Sequence, residues 1–305
     1  MSSVLSDKHF HGERAAYAYV EARVWPNGPT CPHCGNADAS RMKLMAGKST
    51  RLGVRQCNEC RKPFTVKVGT IFESSHVPLR LWLQAMHLMT SSKKGIISNQ
   101  LHRTLGVTLK TAWFMSHRIR TAMQTVGLEP MGGAGEIVEV DETFIGRVEG
   151  QPKRKAGAGH KNAVLTLLQR NGSSRSFHID STRVADIAPI VRANVVRETA
   201  LMTDEANCYR EVGGEFASHE TVNHSADEYV RGTVTTNTVE GFFSIFKRGM
   251  KGVYQHCGER HLHRYLAEFD FRYSNRVRLG CDDVERADRA LKGVVGKRLT
   301  YRTTH

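Results

Sequence analysis

Two C-x-x-C pairs, Cys31-Pro-His-Cys34 and Cys57-Asn-Glu-Cys60, constrain the start of this chain more than any other feature; 22 residues separate them. Each pair presents two thiols to one side of a tight knuckle, and two knuckles close a tetrahedral site. The spacing therefore predicts a zinc ribbon with Cys31, Cys34, Cys57 and Cys60 as the Zn²⁺ ligands. A short helix over 15–24 and strand-like stretches within 43–55 and 62–71 complete this segment, placed at residues 1–76. His33, inside the first knuckle, reads as a bystander. Cys208, Cys257 and Cys281, which bring the total to seven cysteines, read as ordinary buried thiols.

With 305 residues, 40% of them hydrophobic, the chain can bury more than one core. Its 44 Lys+Arg against 30 Asp+Glu give a formal charge of +14. A polyanion, nucleic acid first, is the partner this balance favours. No apolar run approaches the roughly 18 residues of a bilayer span. The first residues, MSSVLSDKHFHGERAA, lack a signal peptide's apolar segment. The expected setting is the cytoplasm, with no membrane partner, and a reducing compartment favours thiols as metal ligands over disulfides.

Residues 77–130 read as a helical DNA-binding segment. Leu79, Trp82, Leu83, Met86 and Met89 recur at helical spacing. A helix over 98–105, a turn at Gly106, and a longer helix capped by Thr108 and running to Met123 make a helix-turn-helix layout. Leu109, Ala112, Trp113, Ser116 and Ile119 are assigned to the packed side of the second helix. Lys110, Thr111, His117, Arg118 and Arg120 are assigned to the side facing DNA. A three-helix cluster without DNA contact is the alternative.

The small-residue break Met131-Gly-Gly-Ala-Gly135 marks a boundary, and residues 131–280 alternate strands and helices. Strands are expected at 137–140, 163–168, 176–179, 199–203 and 222–230. The helix 184–196, with Pro189 in its first turn or kinking it, supplies a crossover that pairs strands in parallel within a mixed sheet. The basic loop 153–161 reads as a hairpin connection carrying DNA-facing charge. At about 100° per residue, the helix 236–253 splits into two faces. Asn237, Glu240, Ser244, Lys247 and Lys251 lie on one; Val239, Phe242, Phe243, Phe246, Met250 and Val253 lie on the other. A further helix spans 261–276, and residues 281–305 read as a loose basic tail.

Asp141 and Asp204 end apolar strands, and Glu240 stands on a helix face. Lone acids so placed make chemical sense if they converge at a sheet edge and share divalent cations that clamp a phosphodiester. Glu139, Glu142 and Glu205 are rival ligands, and three unrelated surface acids is the plain alternative.

Taken together, Val138-Glu-Val-Asp141-Glu-Thr-Phe-Ile-Gly146, Thr203-Asp204-Glu-Ala and Asn237-Thr-Val-Glu240-Gly-Phe-Phe-Ser-Ile-Phe-Lys247 form a D-D-35-E pattern with a lysine seven residues beyond the Glu. The pattern resembles the DDE insertion-sequence transposases with an N-terminal zinc ribbon, the ISXO-like group. The resemblance covers most of the chain. It implies an RNase H-like α/β catalytic core in which Asp141, Asp204 and Glu240 hold Mg²⁺ or Mn²⁺, with Asn237 as the alternative third ligand. It also implies Lys247, with Lys251 on the same face, at the transposon-end DNA. The implied activity is binding of terminal inverted repeats, cleavage of the flanking phosphodiester and joining of the 3′-hydroxyl to target DNA. The partners are both DNAs and further copies of the chain, a homodimer or larger, in a synaptic complex near the nucleoid. A DNA-binding regulator with an inactive core, and a nuclease that only hydrolyses, are the competing readings.

Overall fold

A computed structural model describes residues 3–152, 154, 157–206, 208–222 and 230–300. In chain order its main elements are α1 (Lys8–His11), α2 (Glu13–Val24), β1 (Met42–Leu44), β2 (Arg55–Cys57), β3 (Pro63–Phe64), α3 (Leu79–Ser91), α4 (Ser98–Leu105) and α5 (Leu109–Met123). There follow β4 (Ile137–Ile145), β5 (Asn162–Gln169), β6 (Ser174–Ile179), α6 (Val184–Asn194), β7 (Ala200–Asp204), α7 (Cys208–Gly213) and β8 (Ser218–Val222). The last are α8 (Asn237–Gly249), α9 (Leu262–Ser274) and α10 (Asp283–Lys292). The fold class expected from sequence, a zinc ribbon, a helical segment and an α/β core with a mixed sheet, is the one observed.

The chain divides into two compact units. Residues 1–92, 96–124 and 282–305 make the first; 93–95 and 125–281 make the second. In the first, β1, β2 and β3 form an antiparallel ribbon, and α3 buries Leu79, Trp82, Met86 and Met89. Gly106 takes a left-handed conformation (φ 66°) after α4, where a side chain would be strained, and Thr108 caps α5 by accepting the N–H of Thr111 at 3.1 Å.

Four assignments on α5 are corrected. His117, Arg118 and Arg120 do not face outward: they are 1%, 5% and 1% exposed. Arg118 donates to the carbonyls of Ile71 (2.7 Å), Glu73 (2.9 Å) and Leu299 (3.0 Å), and Arg120 to the hydroxyl of Ser116 (3.0 Å). Carbonyls brought in from distant segments for Arg118, and a hydroxyl one turn back for Arg120, give these guanidinium groups partners, so burial is tolerated. Leu109, expected inside, is exposed. The C-terminal segment also departs from a loose tail. Asp282 caps α10 through the N–H of Glu285, α10 packs on α3, and Thr70 bridges Val295.

The second unit is built on a five-stranded sheet in the order β6-β5-β4-β7-β8. β6, β5 and β4 pair antiparallel, while β4, β7 and β8 run parallel. One face packs Val138, Val140, Leu165, Leu167 and Leu201 against α6 and α7; the other packs Val164 and Leu168 against Phe243 and Phe246 of α8 and Leu266 and Phe269 of α9. β4 runs on past Val140 through Asp141 to Ile145, so Asp141 sits within its strand rather than at its end. The hairpin joining β4 to β5 is as expected, although Lys153, Lys155 and Ala156 of its loop lie outside the described residues. Of the strand expected at 222–230, residues 223–229 lie outside the described residues; β8 precedes them. Pro189 stands inside α6 beyond its first turn, and a π-helical turn, Met250–Tyr254, continues α8.

Candidate active site and zinc centre

The four thiols of the ribbon lie together. Their sulfurs are all within 4.8 Å of one another, with Cys31 to Cys60 and Cys34 to Cys57 each at 3.7 Å. Ligands at about 2.3 Å from a tetrahedral zinc ion stand about 3.8 Å apart, so the donor set fits Zn²⁺ in both chemistry and spacing. His33 is outside this cluster; its Nε2 is 3.3 Å from the carbonyl of Pro63.

In the second unit, parallel pairing sets Glu139 against Met202, and two residues further along each strand stand Asp141 and Asp204. α8 covers this side of the sheet and carries Glu240. Asp204 and Glu240 are each close enough to Asp141 to act on its carboxyl. Burial pushes the Asp141 carboxyl up to about 8, and the negative charges of Glu142, Asp204 and Glu240 push the same way. The only opposing influence is the N–H of Glu142, donated to Oδ1 of Asp141 at 2.7 Å. Among the described residues, only the four cysteines gather ligand atoms within 4.8 Å, so the acids are more widely spread than the thiols.

Lys247 stands at the same place. Partial burial lowers its pKa, Asp141 and Glu240 counteract that, and Lys251 and Lys161 reinforce it. Lys251 and Lys161 line a cavity of about 280 Å³ with Asn162 and Gln255. Lys110 is exposed on α5 in the first unit. Asn237, the alternative third ligand, is exposed at the first turn of α8. Glu240 is half-buried and does act on Asp141.

Of the rival acids, Glu142 points to the other side of the sheet. Its carboxylate accepts the hydroxyl of Tyr209, and burial raises its pKa. Glu139 is fully buried and occupied by the start of α8. Sequence reasoning missed Arg170, which joins Glu139 at 2.6 Å. No local pattern marks it, since its partners lie 31 or more residues away.

The order of a four-thiol ribbon followed by an α/β core with a mixed sheet agrees with the comparisons to known proteins. Residues 133–274 match the ISXO2-like transposase domain, and residues 12–63 match the transposase zinc-ribbon domain. Both matched segments are thus similar to insertion-sequence transposases that combine these two domains. One relative is described as an uncharacterized protein in transposable element ISH50 of Halobacterium salinarum; it is 28% identical over 284 residues, covering 87% of this chain and 92% of the relative. A chain from the cryo-EM structure of the simian T-cell lymphotropic virus intasome in complex with PP2A regulatory subunit B56 gamma is 13% identical with a TM-score of 0.30. It covers 55% of this chain, which spans 63% of that one, and the superposition is too loose to support an argument. No helix among the described residues is long and apolar enough to cross a membrane.

Proposed function

We propose that the protein binds the inverted ends of an insertion sequence, cleaves the flanking phosphodiester and joins the freed 3′-hydroxyl to target DNA, with Asp141, Asp204 and Glu240 holding Mg²⁺ or Mn²⁺. The observation that carries this reading is the crowding of carboxylates around Asp141, whose ionisation is opposed by burial and by three neighbouring acids. Hard divalent cations relieve that opposition, and an all-oxygen donor set suits them. When bound, such ions activate a water or 3′-hydroxyl and stabilise the departing oxygen.

The chain's own residues orient the reaction. Asp141 and Asp204, on hydrogen-bonded strands, fix two donors rigidly, and Glu240 closes the set from α8. Lys247, beside Asp141 and Glu240, meets a phosphate of the strand under attack; Lys251 and Lys161 extend the positive charge along it. In cleavage, water adds to phosphorus and the 3′ oxygen leaves, taking a proton to become a hydroxyl. In joining, that oxygen bonds to a target phosphorus and displaces a target 3′ oxygen, so bonds made and broken balance. Lys110 on α5 contributes a phosphate contact, and the synaptic complex contains two or more copies of the chain.

The test is a gel assay of purified protein on labelled end-bearing DNA with Mg²⁺, Mn²⁺ or EDTA. Cleaved and joined products that require metal and vanish in Asp141→Asn, with binding kept, support the reading. DNA binding without any metal-dependent product overturns it.

A further inference from the structure

Glu139 has no capacity left to serve as a metal ligand. Its Oε2 accepts the N–H groups of Thr238 and Val239, each at 2.9 Å, and its Oε1 accepts the hydroxyl of Thr238 at 2.8 Å and Nε of Arg170 at 2.6 Å. A carboxylate offers about four acceptor sites, and all are taken. The two N–H groups are among those a helix leaves unpaired at its start, and Thr236, at the capping position, makes no cap of its own. A side chain 99 residues earlier in the chain performs that task.

Arg170 extends the contact. Its Nη1 donates to the carbonyl of Thr233 at 2.7 Å and its Nη2 to that of Thr235 at 2.8 Å; Nη2 also lies 3.0 Å from the sulfur of Met202. The two side chains therefore touch β4 at Glu139, β7 at Met202 and α8 at Thr238 and Val239. These points lie two residues before Asp141, two before Asp204, and two and one before Glu240. Glu139 and Met202 are themselves register partners across the parallel pair. A single ion pair, with its carboxylate fully buried and its arginine partly so, thus underlies all three acids.

We propose that Glu139 and Arg170 are positioning residues that set the mutual placement of Asp141, Asp204 and Glu240, and hence the site's affinity for divalent cation. The inference rests on the metal-binding reading above. It deepens that reading by assigning to residues outside the ligand set control over how the set is held. Groups that orient metal ligands change metal affinity or activity by about 10–100-fold when removed. Glu139→Gln keeps the shape but places an amide N–H₂ against donors, and Arg170→Lys keeps the charge but cannot span two carbonyls and a carboxylate.

The experiment titrates Mn²⁺ into the full-length protein without DNA, following the metal's magnetic resonance signal, and repeats the cleavage assay across metal concentrations. Glu139→Gln and Arg170→Lys should bind Mn²⁺ about 10–100-fold more weakly. Excess metal should restore cleavage in both, whereas Asp141→Asn should stay inactive at every concentration. Wild-type Mn²⁺ affinity in the folded variants, with or without a lower Tm, overturns the inference and makes the pair a stability device only. Cleavage not restored by metal in a variant that binds Mn²⁺ normally overturns it as well. If Glu139→Gln does not fold, Arg170→Lys is judged by the same titration. Failure of the wild-type protein to cleave would sink the proposed reaction, while the titration would still report on the clamp.

Discussion

The hydroxyl of Thr236 donates to Oε1 of Glu240 at 2.8 Å, so the residue at the capping position of α8 holds the carboxylate one turn into that helix. Asn237, between them in sequence, is exposed and shares no such contact with Glu240. We predict that Glu240→Gln abolishes metal-dependent cleavage, that Asn237→Ala leaves it within a few-fold of wild type, and that Thr236→Val lowers it by a smaller factor of about 5–10, as loss of one orienting hydrogen bond of about 1 kcal/mol implies. The gel assay ranks the three, and an inactive Asn237→Ala beside an active Glu240→Gln reverses the assignment.

Asp141 carries a pH signature in metal-free protein. Burial, then Glu142, Asp204 and Glu240, raise its folded pKa to about 8 from 3.8. Its neutral form is favoured on folding, so its contribution to stability is intact below pH 4 and declines as pH rises towards 8. Asp141→Asn removes that decline. In EDTA, the variant should match wild type at low pH and gain at pH 8 by on the order of a few kcal/mol; equal unfolding curves at pH 8 count against the assignment.

The thiol cluster predicts one structural zinc that supports the ribbon. Cys57→Ser should lose it and unfold the ribbon, whose apolar core is small: Met42 and Phe64, with Trp25 and Val68 packed against them. Elemental analysis and Tm test this together. Full zinc content in the variant would contradict tetrahedral coordination by these four residues.

Arg118 and Lys110 lie on one helix and should behave in opposite ways. Arg118→Ala leaves the carbonyls of Ile71, Glu73 and Leu299 without their donor, a cost of about 2–4 kcal/mol in stability. Lys110→Ala should weaken DNA binding with a reduced salt slope and a smaller loss of stability than Arg118→Ala. Urea denaturation paired with a binding titration at two salt concentrations separates them. A stable Arg118→Ala with weakened DNA binding would return the arginine to the DNA-facing role.

Features set by adjacent residues were legible in the sequence. The C-x-x-C knuckles, the turn at Gly106, the cap at Thr108 and the two faces of α8 each depend on neighbours within a turn or two. What escaped depends on distant partners. Nothing near Arg118 announces that Ile71, Glu73 and Leu299 will supply its acceptors, so charge alone placed it outside. Glu139 looked like a ligand because it lies two residues from Asp141, and only the arrival of α8 reveals what its oxygens bind. β4 read as ending at Val140 because Asp-Glu-Thr is polar, yet on a strand bordering a site those residues are where polarity belongs.

The first unit is closed by the last described residues of the chain: α10 packs on α3, and Val295 bridges Thr70. The order of synthesis therefore inverts the order of completion. The sheet and its two helical layers are fully translated, and free to fold, before the N-terminal unit has all its parts. A ribosome that stalls or stops before Asp282 releases a chain whose core is whole but whose first unit lacks a wall, so truncated translation products should be cleared by proteolysis starting at the ribbon side.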